Sequence, residues 1–556
     1  MSPDDLCFLP VTELAAHIRT GKVSAVEATD AYLARIAAID GQLHSHITVT
    51  ADLARDQARE ADKRRARADD APLLGVPYGL KDMVETRGVL TTAHSRVLQH
   101  NVPDRDAHVV TRLREAGAVL LGKHASHEFA HGGPSFDLPW PPARNPWNTG
   151  HYTGSSSTGS GAAVAGGLAA FALGTDTGGS VRTPAWMCGV VGYKPTFGRI
   201  GRTGVIPFSS SCDHVGPLAR TVADAALVLR TIAGHDPGDP GSSDRGTGDL
   251  RLPSRKDLRG LRLGVLRHHW EEDLRANAEL KGAVDTAIAL LRDLGAQVED
   301  VRVRPLHEYY AVRILLTESE LFARHQHHLR EHAGDYGDHF LGRTLAAALF
   351  TSSDYLNAQR ERRRMIEEFA PLHERFDAFV MAGSGPAPRM DAHRNIGAQQ
   401  KWSSPSMGTL CSVTGAPALA LPCGFSSGGL PLGLQIAGRH FDDATVLDIG
   451  HAYEQATDWH RRRPVLVPGA SSPEVDTSHA DPVIDCDPDV RAQVDAAVRH
   501  AGLRLTDHQL ALLLESAPYA TAMASRLRRD VAWEREPAAV FRADSFFVQR
   551  QTSAHS

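Results

Sequence analysis

Residues 127–131 are HEFAH, two histidines four apart with a glutamate beside the first. On a long helix this H-E-x-x-H spacing puts both imidazoles on one face as zinc ligands and leaves the glutamate as general base. Other reactive side chains compete with it. Serines cluster in TGSSSTGSG (153–161), ahead of an alanine-rich helical pattern. TGGS (177–180) places two glycines before Ser180, and unobstructed backbone N–H groups are what an oxyanion requires. Lys81 ends the apolar run PLLGVPYGLKD and offers a base of the kind that serine nucleophiles use in place of histidine.

Context argues against the metal. Gly132, Gly133 and Pro134 follow at once and end any helix one turn after it begins. The extended zinc-protease pattern fails at Pro134, no glutamate occurs from Gly132 to Ser155, and His151 is left as the third-ligand candidate. No metal is expected. A phosphate-binding loop of the usual form is excluded too, since no G-K-[ST] follows the glycines. Singly, the remaining pieces have ordinary explanations: Gly-Ser loops before helices are common caps, and a lone lysine is usually a solvated charge.

A lysine, a serine loop and a glycine turn act together only if regular elements bring them to one place. The chain has 556 residues, enough for a large α/β domain with an appendage. Short buried strands are expected at PLLGVPYGLKD and GAVLLGK, with the helix DAHVVTRLREAG between them, closed by Gly117. Residues 1–40 predict two helices, with Ser24 and Glu27 as a capping box. Residues 235–255 are a flexible excursion by composition. Further strands are expected at DAFVMAG, APALALPCGF and PLGLQIAG, and DDATVLDIGHAYEQATDW is a closing helix.

A net charge of −6 gives no sign of a polyanion-binding surface, which disfavours nucleic acid as a partner. The start MSPDDLCFLPVTELAAHIRT has acidic residues where a signal peptide carries lysine or arginine, and no run of about 18 apolar residues occurs. Neither secretion nor membrane insertion is expected. Cys7, Cys188, Cys212, Cys411, Cys423 and Cys486 are widely spaced without C-x-x-C, as suits buried reduced thiols in a cytoplasmic protein.

Together, GVPYGLKDMVETRGVLTTAHS (75–95), GSSSTGSGAAVAGGLAAFALG (154–174) and GTDTGGSVRTP (174–184) resemble the amidase signature family. The resemblance runs over nearly all of residues 10–465, through RNPWN, GVVGYKPTFGRI, DHVGPLARTVADAALVL and ATDWHRRRP. The separations of Lys81, Ser156 and Ser180 fit the family as well. HEFAHGG then stands where the family usually has D-E-F-A-M-G, which accounts for that stretch without zinc. The resemblance implies an α/β fold with a mixed β-sheet core flanked by helices. It implies Ser180 as nucleophile, Ser156 as a bridging serine with a cis peptide bond on its N-terminal side, and Lys81 as base. The backbone N–H groups of Thr177, Gly178, Gly179 and Ser180 would form the oxyanion hole, and Phe129, His131, Gly132 and Trp186 are candidates for contacting substrate. The chain departs from the family at Ser155 and Thr158, which replace glycines, and at Trp186, where a small residue is usual. The aromatic stretch PSFDLPWPPA is a further departure.

The implied activity is cofactor-free hydrolysis of a small carboxamide, or of a related urea or carbamate bond, through a serine acyl-enzyme. One alternative is the amidase half of an amidotransferase. Another is a non-catalytic binding protein on the same fold, against which the complete Lys81, Ser156 and Ser180 set argues. The chain divides into a catalytic domain (1–467), a polar proline-rich linker (468–488) and a helical extension (489–556). The extension faintly resembles the small helical partner subunits of amidotransferases and carboxybiuret-type hydrolases. Its helical patterns span 489–502 and 507–529, with Thr506 and Gln509 as a capping box on the second. Their apolar faces, Val490, Val494 and Val498 with Leu510, Leu513 and Leu514, must be buried on the same chain or on another protomer. A homo-oligomer such as a homodimer, joined through these helices, is the expected assembly.

Overall fold

The computed structural model describes residues 2–391, 402, 405–475 and 487–527. One 11-stranded sheet runs through them. Its strands are β1 (His46–Val49), β2 (Pro77–Lys81), β3 (Val119–His124), β4 (Phe171–Asp176), β5 (Val191–Lys194), β6 (His214–Ala219), β7 (Arg262–Val265), β8 (Gln297–Asp300), β9 (Ala378–Ala382), β10 (Ala418–Phe425) and β11 (Pro431–Gly438). They lie in the order β1-β3-β2-β4-β6-β5-β10-β11-β9-β7-β8. The sheet is mixed: β2 is parallel to both β3 and β4, while β10 is antiparallel to both β5 and β11. Every residue of β2 and β4 is buried, as befits strands covered on both faces. Tyr78 pairs with Phe171 across them, and the two rings stack at 5.3 Å. A mixed sheet flanked by helices is thus the architecture.

The helix between β2 and β3 is His108–Glu115, followed by Gly117 at φ +78°, and the Ser24–Glu27 capping box opens Ala25–Leu43. Some elements differ from expectation. Three helices occupy the start, because Ser2 accepts the Asp5 N–H and caps an extra turn, Pro3–Cys7. The closing helix, Asp443–Gln455, stops before Trp459, which begins a separate 3-10 turn. Residues 235–255 contain neither helix nor strand, yet they are anchored: Arg202 Nε lies 2.8 Å from Asp239 Oδ2, and Asp236 accepts the Gly238 N–H. Cys7, Cys188, Cys212, Cys411 and Cys423 are buried free thiols, whereas Cys486 lies outside the described residues. Residues 476–486 of the expected linker and 528–556 of the extension also lie outside them. No helix among the described residues is long and apolar enough to cross a membrane.

The C-terminal helices, Pro488–Ala501 and Asp507–Ser525, pack on their own chain. Val494, Leu513 and Leu514 join Phe340, Leu341 and Leu345 in a second apolar cluster, with Val490, Val498 and Leu510 packed against it. Polar contacts fix the same docking: Arg330 Nε donates to Ala501 O at 2.9 Å, and His508 Nε2 lies 2.8 Å from Asp338 Oδ2. Of the two burial sites expected for these faces, the same chain is the one observed: they are turned onto the Asp338–Thr344 helix and the following turn, where matching apolar surface lies. Leu513→Ala should lower stability by about 2–5 kcal/mol, the usual result of emptying a fully buried leucine site. Urea denaturation checks this, and an unchanged midpoint would show that the extension does not stabilise the fold.

Candidate active site

Two parallel strands bring the first polar groups together. Lys81 ends β2, and its Nζ lies 2.7 Å from Thr175 Oγ1 near the end of β4 and 2.7 Å from Ser156 Oγ. The side chain is fully buried. Removing an ammonium from water disfavours the charged form, so burial lowers the Lys81 pKa to about 7, with the carboxylates of Asp213 and Asp176 opposing the shift. Such a lysine can be neutral at physiological pH.

Ser156 lies in the loop that opens the Thr158–Gly166 helix, and the Ser155–Ser156 peptide bond is cis. Its neighbour Ser157 has a different environment. Ser157 Oγ is 3.3 Å from both the carbonyl oxygen and the N–H of Thr175, and the Ser157 N–H donates to Ser180 O at 3.2 Å. Of these two serines, Ser156 holds the lysine and Ser157 joins its loop to β4 and to the Ser180 turn.

A buried ion pair shapes the Ser180 turn. Arg182 Nη2 lies 2.9 Å from Asp176 Oδ1, and both side chains are fully buried. Burial opposes ionisation, but Arg182 outweighs it and keeps the Asp176 carboxyl well below the usual range. The same carboxylate accepts the Gly179 N–H at 2.8 Å and the Val181 N–H at 3.1 Å. Gly179 is therefore not a free oxyanion donor, which corrects one of the four expected groups. Its contribution is conformational, because its φ of +121° lies where a side chain would be strained.

Ser156, Gly178 and Ser180 line a cavity of about 310 Å³. His131 and Gly132 line it too, whereas Phe129 and Trp186 do not. Phe129 sits at φ +46° inside the Glu128–Ala130 turn, and its ring packs on His325 (4.4 Å) and Phe340 (5.8 Å). Trp186 lies over Gly383 and Gly433 of the sheet layer and donates Nε1–H to Leu434 O at 2.9 Å. Thr183 and Met187 of the same helix face the cavity in its place. Tyr310, Arg313, His339 and Arg343, none of which belongs to a sequence motif, form another part of the wall. Helical periodicity marks their segments, but it does not show which turn meets the cavity.

The side chains of HEFAH diverge. His127 Nε2 is 3.0 Å from the Tyr152 hydroxyl, and His131 Nε2 is 3.0 Å from Glu318 Oε2. Glu128 accepts from the Ser95 hydroxyl at 2.6 Å and from the Gly337 N–H at 2.9 Å, and burial pushes its pKa up to about 8. It ties the loop to the start of the Asp338–Thr344 helix. Among the described residues, the set whose ligand atoms lie within 4.8 Å of one another is His268, His269 and Asp273, outside this stretch. Dialysis against a chelator should leave amide hydrolysis unchanged. Loss of activity restored by added zinc would contradict this arrangement.

Fold and site together define the class: an amidase, which hydrolyses carbon–nitrogen bonds. The chain belongs to the amidase family, whose model matches residues 27–447. It is 39% identical over 484 residues to a glutamyl-tRNA(Gln) amidotransferase subunit of Roseiflexus sp. (strain RS-1), covering 82% of this chain and 98% of that protein. Among solved structures it resembles native peptide amidase from Stenotrophomonas maltophilia, with TM-score 0.71 and 32% identity over 82% of this chain and 98% of that one. It also resembles a chain from a vestigial protein complex bearing on the origins of an s-triazine catabolic enzyme (TM-score 0.74, 33% identity, 81% and 98% covered).

Proposed function

We propose that the protein hydrolyses a small amide through an acyl-enzyme on Ser180. Its oxygen attacks the amide carbon while its proton passes to Ser156, whose own proton passes to neutral Lys81. Amides of the glycine turn, those of Thr177, Gly178 and Ser180, receive the negative charge that develops on the carbonyl oxygen. The C–N bond then breaks, the leaving nitrogen takes a proton back through Ser156, and water hydrolyses the ester by the same relay. The observation that carries this reading is the buried Lys81 Nζ at 2.7 Å from Ser156 Oγ, in a cavity wall that Ser180 shares. The buried free thiols fit a cytoplasmic setting.

The test is a panel of aliphatic amides, aryl amides, anilides, ureido acids and carbamates, with both products followed by mass spectrometry. Cleavage of a C–N bond to acid and amine supports the reading, and no turnover on any of them would count against it. A second reading, the ammonia-releasing component of an amidotransferase, is favoured by the 39% identity to a protein named for such an assembly. It predicts glutamine hydrolysis that rises when a partner protein is added.

A further inference from the structure

We infer that the substrate carries a carboxylate, and that Arg313 holds it beside the scissile amide. This deepens the amidase reading and rests on it. Arg313 projects from the Leu306–His332 helix into the cavity that Ser156 and Ser180 line, and its exposure is 9%. Among the described residues its guanidinium has neither a hydrogen bond nor an ion pair; its cation–π partner is the Tyr310 ring, 5.0 Å away. A buried charge without a counterion is costly, and native proteins pair such groups.

The nearby carboxylate is already committed. Glu318 faces His131 at 3.0 Å and Arg343 at 3.4 Å, and Arg343 lines the same cavity. Arg343 and His131 thus take up the one carboxylate, and the Arg313 guanidinium is left on this wall without a counterion among the described residues. Its position relative to the chemistry is also fixed. A Cβ placed on Gly178 would meet Arg313 Nη1 at 2.8 Å, so the guanidinium lies directly against the turn that leads into Ser180. The planar fork of an arginine matches a carboxylate with two parallel hydrogen bonds. A short acid bearing an amide at its other end would bridge Arg313 and the nucleophile within a cavity of about 310 Å³.

The probes are succinamate and glutaramate, each set against its uncharged diamide. Thermal melts of the full-length protein should show stabilisation by the two amidic acids and none by the diamides. Arg313→Gln should abolish that stabilisation, and Arg313→Lys should keep part of it. In turnover, Arg313→Gln should lower the ratio of kcat/KM for amidic acid over diamide by roughly 10- to 100-fold, the worth of a charge-assisted hydrogen bond. Equal stabilisation by acid and diamide would overturn the proposal, even if the variants failed to fold. An equal loss of rate on both would overturn it too, because it would make Arg313 a general electrostatic aid to the oxyanion. Fluorophosphonate labelling of Ser180, read without substrate, reports on the catalytic serine independently. Acid-selective binding without such labelling would keep the anion site and remove the proposed mechanism.

Discussion

Replacing Ser180 with alanine should reduce turnover by about 10⁴- to 10⁶-fold while the protein keeps its fold, since the change removes the attacking oxygen and little else. Circular dichroism and the thermal midpoint should match the parent protein, because the turn is held by Asp176 and Arg182 and not by the Ser180 hydroxyl. Ser156→Ala should be comparably damaging, as residues that act as one unit do not contribute additively. Ser157→Ala should instead act on stability, through lost contacts to the Thr175 backbone. A Ser180→Ala enzyme with most of its rate would rule out this serine as nucleophile.

The second large effect concerns the base. Lys81→Ala should cost about 10³-fold or more, because the proton from the serines then has no acceptor. The pH dependence has a defined sign. Burial lowers the Lys81 pKa to about 7, and only the neutral amine accepts a proton, so the rate should rise with pH and level off above that value. Below it the rate should fall about tenfold per pH unit, an apparent titration that belongs to the coupled lysine–serine system. Asp213 favours the charged amine, so Asp213→Asn should move this limb to lower pH. A pH-independent rate between pH 5 and 8 would show that another group is the base.

Much of this site was legible in the sequence because its parts sit at the ends of short, strongly marked elements. Lys81 ends an apolar run that becomes β2, and Ser156 and Ser180 stand in glycine-rich turns on either side of β4. Gly132, Gly133 and Pro134 announced that HEFAH could not be a helical zinc site, and the three side chains do find separate partners. The opposite wall was not legible. Tyr310 and Arg313 come from the 27-residue Leu306–His332 helix, where apolar spacing identifies a helix but not the turn that meets a cavity formed over a hundred residues earlier. Phe129 and Trp186 were misplaced for a related reason. Their neighbours in sequence line the cavity, but a positive φ turns Phe129 away, and the glycines at 383 and 433 make room for Trp186 on the sheet side. The apolar faces of the C-terminal helices were visible, while their target on the Asp338–Thr344 helix depends on tertiary packing.

Fluorophosphonate labelling followed by peptide mapping addresses the central claim most directly, because it identifies the activated nucleophile without needing the natural substrate. The account predicts one adduct per chain, on Ser180. It should be absent from Ser180→Ala, much slower in Lys81→Ala, and faster as pH rises through about 7 in the parent protein. An adduct on a different residue, or labelling that persists in Ser180→Ala at the parent rate, would contradict it.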